Sequence, residues 1–234
     1  MHRTGTAGWS LPGKPGEPGS HLYHYSRTLS CVEVNSSFYR AHRASTWARW
    51  AREASADFRF SIKAPKTITH ESKLCHVEGL LKAFLEQIEP AREKTGPILF
   101  QLPPSLVFET CLAEEFLGGL RTLYEGEVAL EPRHATWFTA DVDHLLEKFT
   151  IARVAADPPK GSPEAANPGG STNLVYYRLH GSPRTYYSNY EEPFLAGLAA
   201  RVRMLSNAWI IFDNTALSCA YPNALRFARL LAER

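Results

Sequence analysis

The sequence has few of the features that mark secreted, membrane and metal-cluster proteins. Its 234 residues include only four cysteines, scattered so widely that no CxxC pair or zinc-type Cys/His spacing occurs. No stretch approaches the roughly 18 apolar residues of a spanning helix, and the N-terminal MHRTGTAGWS lacks the apolar centre of a signal peptide. We therefore expect a cytoplasmic protein with reduced thiols, no membrane association and no cysteine-based metal site.

A strong charge of either sign is also missing. Lys and Arg number 26 against 24 Asp and Glu. The net charge of +2 gives no reason to expect a positive electrostatic field strong enough to attract nucleic acid. The sequence contains no phosphate loop, GxGxxG, nucleophile elbow or HExxH, so any cofactor stays unknown. The apolar fraction of 44% is enough for a large core and excludes disorder.

Strand-like and helix-like segments alternate along the whole chain. Residues 79–94, for example, place leucines and a phenylalanine at helical spacing. Strands that alternate with helices predict parallel pairing and right-handed crossovers. The predicted strands number eight and span residues 4–9, 31–35, 58–63, 98–102, 128–131, 151–157, 175–179 and 209–213.

Eight strand–helix units predict an α/β fold, a closed TIM-type (β/α)8 barrel in a single domain covering residues 1–234. An open, doubly wound sheet is the alternative. One unit departs from the pattern, because the segment between strands six and seven is rich in Pro, Gly and Ser and has no helical period. This crossover is predicted to lack a regular helix.

The clearest signal of a site is the stretch VALEPRHATW at residues 128–137. Its apolar run is too short for a helix and Pro132 ends the strand, so the chain presents Glu131, Arg133 and His134 as it leaves the core. In parallel barrels the carboxyl ends of the strands meet at one rim, where ligands bind. Ionisable or amide residues lie at or near most predicted strand ends, namely Glu33, Asn35, Lys63, Gln101, Glu131, Arg133, Asp157, Arg178, His180 and Asp213.

Each of these residues also has a purely structural interpretation. Glu33 paired with Lys63 or Arg178 would be a buried ion network that fixes strand register. Arg133 would clamp the turn that follows Glu131. Such roles explain single residues, but they explain poorly why the same pattern recurs at nearly every strand end.

Aromatic residues give two further predictions. Trp47 and Trp50, at helical spacing, predict packing of a helix against the barrel rather than a stacking platform. The segment HGSPRTYYSNY at residues 180–190 is too polar for a core. Tyr186 is its candidate ligand contact as part of a lid, and a packed surface loop is the alternative.

A set of motifs runs in order through the chain: GTAGWS (5–10), VEVNSSFYR (32–40), FSIKAPKTITH (60–70), GPILFQLPPS (96–105), ALEPRHATWF (129–138), AAD (155–157), YYRLHG (176–181) and FDNTALSCAYPNAL (212–225). With these motifs the chain resembles the DUF72 family, also called YecE-like proteins. The resemblance implies a TIM-type barrel, in agreement with the strand count. It implies no activity, because the family has no assigned function. The chain departs from the family pattern at Ala7, where Ser is usual, and in residues 11–19, which lack the expected Tyr and Trp.

The function predicted from these residues is that of an enzyme or ligand-binding protein acting on a polar, anionic, phosphate-bearing small molecule at the barrel mouth. Arg133, Arg178 and Lys63 are expected to hold the anion. Glu131 and Glu33 are acid/base candidates, and His180 is a candidate proton shuttle. The catalytic candidates are Glu33, Lys63, Glu131 and His180, and the ligand-binding candidates are Asn35, Gln101, Arg133, His134, Asp157, Arg178, Tyr186 and Asn214.

Two alternatives remain open. The first is a metal-dependent enzyme of isomerase or endonuclease type, because acidic or histidine residues end four consecutive strands (Glu131, Asp157, His180 and Asp213), although the nearby arginines compete for the carboxylates. The second is a nucleic-acid-binding module without catalysis, which would use arginines and the tyrosine loop. The near-neutral charge disfavours this second alternative.

Overall fold

All strands described by the computed structural model, which covers residues 1–13 and 18–233, belong to one sheet. Residues 14–17, within the divergent first loop, lie outside the described part of the chain. The strands are β1 (His2–Ala7), β2 (Cys31–Val34), β3 (Arg59–Lys63), β4 (Thr95–Gln101), β5 (Val128–Glu131), β6 (Ala152–Arg153), β7 (Ala155–Asp157), β8 (Gly169–Gly170), β9 (Val175–Leu179) and β10 (Ala208–Phe212).

The sheet closes into a barrel. Parallel pairs run from β1 through β2, β3, β4 and β5 to β6, and from β7 through β9 and β10 back to β1. β6 and β7 are two parts of one strand, interrupted only at Val154, so eight strands complete the ring. The predicted TIM-type barrel is therefore confirmed, and an open sheet is excluded because β6 and β7, near the two ends of the strand order, belong to the same strand.

Helices follow most of the strands and cover the outside of the barrel. Within the described residues, no helix has the length and hydropathy needed to cross a membrane. The helices are α1 (His21–Tyr25), α2 (Ser36–Tyr39), α3 (Ala44–Glu53), α4 (Glu78–Ile88), α5 (Thr110–Leu123), α6 (Ala140–Lys148), α7 (Glu192–Arg203) and α8 (Ala220–Ala232).

Several helix boundaries differ from the predicted ones, for local reasons. The helix predicted over residues 79–94 ends as an α-helix at Ile88, and Pro90 lies in the 3-10 turn Glu89–Lys94 that follows. Proline has no N–H to donate within a helix, so it belongs in a first turn. α8 begins three residues earlier than predicted, because Pro222 fits its first turn without breaking it.

The crossover between β7 and β9 lacks a regular helix, as predicted. It contains only the 3-10 turn Pro163–Ala166 and the two-residue strand β8, which pairs antiparallel with β6. Gly161 has a φ of 80°, and a side chain there would collide with the backbone of Arg133. A glycine at this position therefore lets the irregular crossover lie directly against the loop that follows β5.

Side chains alternate between the barrel interior and the helical layer. Along β5, Val128 and Leu130 pack with the outer core, whereas Ala129 packs with the interior cluster. In the interior, Trp209 stacks on Tyr176 with ring centroids 6.4 Å apart. Trp47 of α3 is fully buried in the outer core, which confirms its predicted packing role. The same alternation then directs the polar residues at the strand ends inward.

Candidate functional site

The polar ends of six barrel strands converge inside the barrel, at the carboxyl end of the sheet. Each residue continues the inward-facing set of its strand, and all are connected by hydrogen bonds. All of them are at most 7% exposed. The cluster, called the rim cluster below, consists of Glu33, Lys63, Gln101, Glu131, Arg178, His180 and Asp213.

Arg178 is the centre of the rim cluster. Its Nε and Nη2 donate to the two carboxylate oxygens of Glu33, at 2.9 and 2.6 Å. Its Nη1 donates to Glu131 at 2.7 Å, and Nη2 also reaches Asp213 at 3.2 Å. Tyr176 adds a hydrogen bond from its hydroxyl to Glu33 at 2.9 Å. One buried guanidinium therefore neutralises parts of three carboxylates that come from three different strands.

His180 lies between two carboxylates. Its Nδ1 is 2.9 Å from Oδ2 of Asp213, and its Nε2 is 3.3 Å from Oε1 of Glu131. Burial and the charge of Arg178 lower the pKa of His180, but the hydrogen bonds to Asp213 and Glu131 outweigh them, and the net shift is upward. Because both ring nitrogens face acceptors, the doubly protonated imidazolium satisfies the site best.

The carboxylates respond in the opposite direction. Burial alone would raise the pKa of Glu131, but the charges of Arg178 and Arg133, with the contact to His180, lower it well below its usual range. Burial likewise opposes ionisation of Asp213, and Arg178 and His180 reverse that effect, so its pKa is lowered. Both side chains are therefore carboxylates at neutral pH.

These shifts predict how stability depends on pH. The stability contributed by Glu131 and Asp213 is present above their unfolded pKa values and is lost as pH falls through the folded ones. The contribution of His180 is present below its unfolded pKa, about 6.5, and is lost as pH rises through the folded value. We expect the stability advantage of the wild type over His180→Gln, measured by urea unfolding, to shrink as pH rises above about 6.5.

His144, exposed on α6, supplies the matched control. The variant His144→Gln should follow the wild-type pH profile throughout. A difference between wild type and His180→Gln that stays constant from pH 5 to pH 9 would show that the imidazolium has no special stability in the folded protein.

Lys63 lies on the other side of Glu131. Its Nζ donates to Oε1 of Gln101 at 2.9 Å, while Nε2 of Gln101 donates to Glu131 at 2.7 Å, which fixes the orientation of the amide. The ammonium also lies 4.1 Å from the ring centroid of Phe38. Burial, followed by the repulsion of Arg178, lowers the pKa of Lys63 to about 8. Lys63 therefore carries a charge that the protein only weakly compensates.

Arg133 lies next to the cluster and is partly exposed, with 18% of its side chain accessible. One amino group donates to Oε1 of Glu131 at 3.1 Å. Its Nε is buried and has no hydrogen-bond partner among the described residues, and the same holds for Oδ1 of Asn35. Buried polar groups normally find a partner, so these two unpaired atoms are exceptions.

Tyr186 covers His180. Its ring meets the imidazole edge to face at 5.9 Å, and 41% of the residue remains exposed. Tyr186 also has a φ of 70°, a strained conformation for a residue with a side chain. Its backbone is held by hydrogen bonds to His180 and Ala216. The sequence-predicted lid residue thus contacts the rim cluster, in a backbone geometry that the surrounding loop maintains.

Two other predicted ligand contacts, Asp157 and Asn214, anchor that loop instead. Asp157 accepts a hydrogen bond of 2.6 Å from the hydroxyl of Tyr190, and Asn214 donates to the carbonyl of Ser188 at 3.0 Å and to Asn223. Asp157 belongs to the outward-facing set of its strand, together with Ala155 of the outer core. Sequence reasoning assumed an inward direction for it, and the alternation along β6 and β7 corrects this.

The four residues of the metal alternative, Glu131, Asp157, His180 and Asp213, consequently do not come together as one set of ligands. Asp157 faces Tyr190, while Glu131, His180 and Asp213 are engaged with one another and with Arg178. In residues 1–13 and 18–233, no set of three or more His, Cys, Asp and Glu side chains is arranged to hold a metal ion.

His134 serves the loop after β5. Its Nδ1 accepts from the backbone N–H of Thr136 at 3.3 Å and lies 2.9 Å from the hydroxyl of the same residue. This is a cap on the 3-10 turn Ala135–Trp137. The structure gives His134 no contact with the rim cluster, so its local role is that of a capping residue.

Sequence reasoning missed three residues of the site: Phe38, His70 and Tyr176. Tyr176 precedes Arg178 by two positions, so its inward direction follows from strand alternation. His70 lies in the π-helical turn Thr67–Glu71 and packs edge to face on Phe38 at 5.0 Å. Burial and the charges of Lys63 and Arg133 lower the pKa of His70. A single π-turn has no periodic signature in sequence, although such turns are frequent at functional sites.

Comparison with known proteins supports the same architecture. The family described as "Protein of unknown function DUF72" matches residues 3–234. The UPF0759 protein YecE of Escherichia coli K12 is 35% identical over 82 residues, which cover 35% of this chain and only 30% of that relative. A DUF72 family protein (TM1631) from Thermotoga maritima aligns over 100% of both chains with a TM-score of 0.82 and 26% identity. A second (EF0366), from Enterococcus faecalis, aligns over 100% of this chain and 96% of its own, with a TM-score of 0.81 and 22% identity, and supports the fold alone.

Proposed function

The chain belongs to the DUF72 family, and we propose that it is an enzyme or ligand-binding protein for a small anionic, phosphate-bearing molecule at the mouth of the barrel. The observation that carries this proposal is the different hydrogen bonding of the three cationic side chains, Arg178, Lys63 and Arg133. Arg178 donates to three carboxylates, whereas Lys63 and Arg133 each donate one side-chain hydrogen bond to the protein and keep further N–H donors. Unused cationic donors beside a barrel mouth are what an anion needs.

The charge of the site favours the same ligand class. Glu33, Glu131 and Asp213 supply three negative charges, and Arg178 with the imidazolium of His180 offsets two of them. Adding Lys63 and Arg133 leaves the assembly with one positive charge in excess. A carboxylate or a monoanionic phosphate would bring this charge to zero in a region largely shielded from water.

Arg178 takes a different role from the one predicted by sequence. It was expected to contact the ligand, but at 1% exposure its guanidinium is bound by protein carboxylates. We therefore assign it to positioning: it holds Glu33, Glu131 and Asp213 in fixed places. In this proposal Arg133 is the arginine that contacts the anion. It has five N–H groups, and four of them do not donate to Glu131.

The acid–base candidates keep a chemical role in this proposal. Glu131 is the carboxylate that touches most of the site, with contacts to Arg178, Gln101, Arg133 and His180. Its lowered pKa keeps it a carboxylate at neutral pH, so it can accept hydrogen bonds from a ligand but is a weak base. His180, whose raised pKa favours the imidazolium, is the adjacent proton donor. The candidate acid in this proposal is therefore His180, with Glu131 as the carboxylate that orients it.

Thermal unfolding with inorganic phosphate tests the proposal. We expect phosphate to raise the Tm of the wild type, and the substitution Arg133→Met to reduce apparent affinity at least about tenfold, or roughly 1.4 kcal/mol, through loss of charge-assisted hydrogen bonds. Chloride at matched ionic strength controls for screening.

Arg92 provides the matched control, because it is an exposed arginine paired with Glu89 outside the rim cluster. Arg92→Met should respond to phosphate like the wild type. Equal phosphate responses in wild type, Arg133→Met and Lys63→Met would rule out the anion site at the barrel mouth.

A further inference from the structure

Lys63 has an environment that suits a reactive amine better than a structural ammonium. Its Nζ makes one hydrogen bond to the protein, to the neutral amide oxygen of Gln101. No carboxylate of the described residues forms a salt bridge with it, although three carboxylates lie in the same cluster. Phe38 covers one side of the amine. Most buried lysines instead pair directly with a carboxylate, because the charge is otherwise costly.

Charges from several elements act on Lys63. Arg178 on β9 repels a protonated amine, and Glu33, Glu131 and Asp213 on three other strands attract one. His70 lies on the turn after β3, and the charges of Lys63 and Arg133 both lower its pKa. Burial dominates the balance and brings the pKa of Lys63 to about 8. An appreciable fraction of neutral amine is thus present near neutral pH, as in lysines that act as nucleophiles after desolvation.

We propose that Lys63 forms an imine with a small carbonyl compound whose anionic group is held by Arg133. The chemical class is a 2-oxo acid or a phosphorylated aldose or ketose. This inference rests on the proposed anion site and adds the reaction that takes place there. Three hydrogen bonds, from Lys63 through Gln101 and Glu131 to Arg133, connect the amine to the anion contact. The proposed molecule would contact the two ends of this hydrogen-bonded chain.

The step is balanced without a further reagent. The lone pair of neutral Nζ forms a bond to the carbonyl carbon, while the π electrons of the C=O bond move to oxygen. Both protons of the amine leave with that oxygen as water, and a C=N bond remains. Gln101 keeps the amine in place through its oxygen, because Glu131 holds the other end of the amide.

Borohydride trapping tests the inference. Purified full-length protein at pH 8 is incubated with pyruvate or with dihydroxyacetone phosphate, reduced with sodium borohydride, and digested for mass spectrometry. Hydride from borohydride adds to the imine carbon and leaves a stable secondary amine. We expect one reduced adduct per chain, on the peptide that contains Lys63. The two probes separate the sources of the anionic group: labelling by pyruvate indicates a carboxylate, and labelling by dihydroxyacetone phosphate indicates a phosphate.

Lys66 is a close control, since it lies three residues away, is 45% exposed and pairs with Glu71 at 2.8 Å. Lys66→Met should keep the adduct and Lys63→Met should lose it, with circular dichroism showing that both variants fold. Arg133→Met should lower trapping of the anionic probes at least about tenfold, or roughly 1.4 kcal/mol, while trapping of acetone stays unchanged.

Two outcomes overturn the inference: no adduct with either probe, or adducts spread equally over Lys63, Lys66 and the exposed Lys82. Trapping of acetone by the wild type as readily as of the anionic probes overturns the part assigned to Arg133. If phosphate still raises the Tm while no adduct forms, the anion site stands and only the imine is excluded. If neither effect is observed, the site itself is excluded.

Discussion

Replacing Arg178 with methionine is expected to lower the free energy of unfolding by roughly 3–5 kcal/mol, the cost of leaving buried charges without their partner. The substitution keeps an unbranched stem but removes the guanidinium that donates to Glu33, Glu131 and Asp213. Those carboxylates would then lie next to one another in a region of low exposure, with only His180, Lys63 and Arg133 nearby. Urea unfolding at pH 7, followed by circular dichroism, measures the loss.

Arg226 offers the same substitution on the surface. It contacts Glu192 and Glu233, which makes it an arginine with two carboxylate partners but with 39% of its side chain accessible to water. Arg226→Met should lower the free energy of unfolding far less than Arg178→Met does. Similar losses for both variants would mean that Arg178 is not the shared counter-ion of the cluster, and the positioning role would have to be abandoned.

Lys63→Met is expected to have the opposite effect, a gain of roughly 1–3 kcal/mol in the free energy of unfolding at pH 7. The folded pKa of about 8 lies below the unfolded value of 10.5, so the charged amine costs stability at pH values below 8. That cost fades as pH rises from 8 to 10.5, where the amine is neutral in both states. The gain should therefore be largest at pH 7 and should shrink toward pH 10.

The companion variant Lys66→Met tests whether any lysine in this segment behaves in the same way. Lys66 forms an exposed salt bridge, so its removal should change stability by less than about 1 kcal/mol. A Lys63→Met protein that is clearly less stable than wild type at pH 7 would identify Lys63 as part of the structural framework. The stabilised variant should also lose the response to phosphate, the usual exchange between stability and function at a site.

Much of this arrangement could be predicted from sequence, and the reason is strand alternation. Five residues of the cluster come directly after an apolar residue of a short strand: Glu33, Lys63, Gln101, Glu131 and Arg178. In a parallel barrel those positions share one rim. The structure brings all five together with His180. The two-residue alternation of a strand and its apolar content are local properties, so both can be predicted from the sequence.

Partner choice and facing direction were harder to predict. Residues 151–157 place Arg153 and Asp157 on one face of the strand, but no local pattern shows that this face turns outward, toward Tyr190. The pairing of Arg178 with three carboxylates depends on distances across the barrel, which no local pattern contains. His70 and Phe38 come close to Lys63 through a π-turn and a four-residue helix, both too short to show a period.

The most direct measurement is a crystal structure of the protein grown with phosphate as the sole multivalent anion. The central claim is that Arg178 satisfies the carboxylates so that Lys63 and Arg133 are left for a ligand. It predicts a phosphate within hydrogen-bond distance of both Nζ of Lys63 and the guanidinium of Arg133, with Arg178 still bound to Glu33. Phosphate bound only at other surfaces, with none at Lys63 and Arg133, would contradict it.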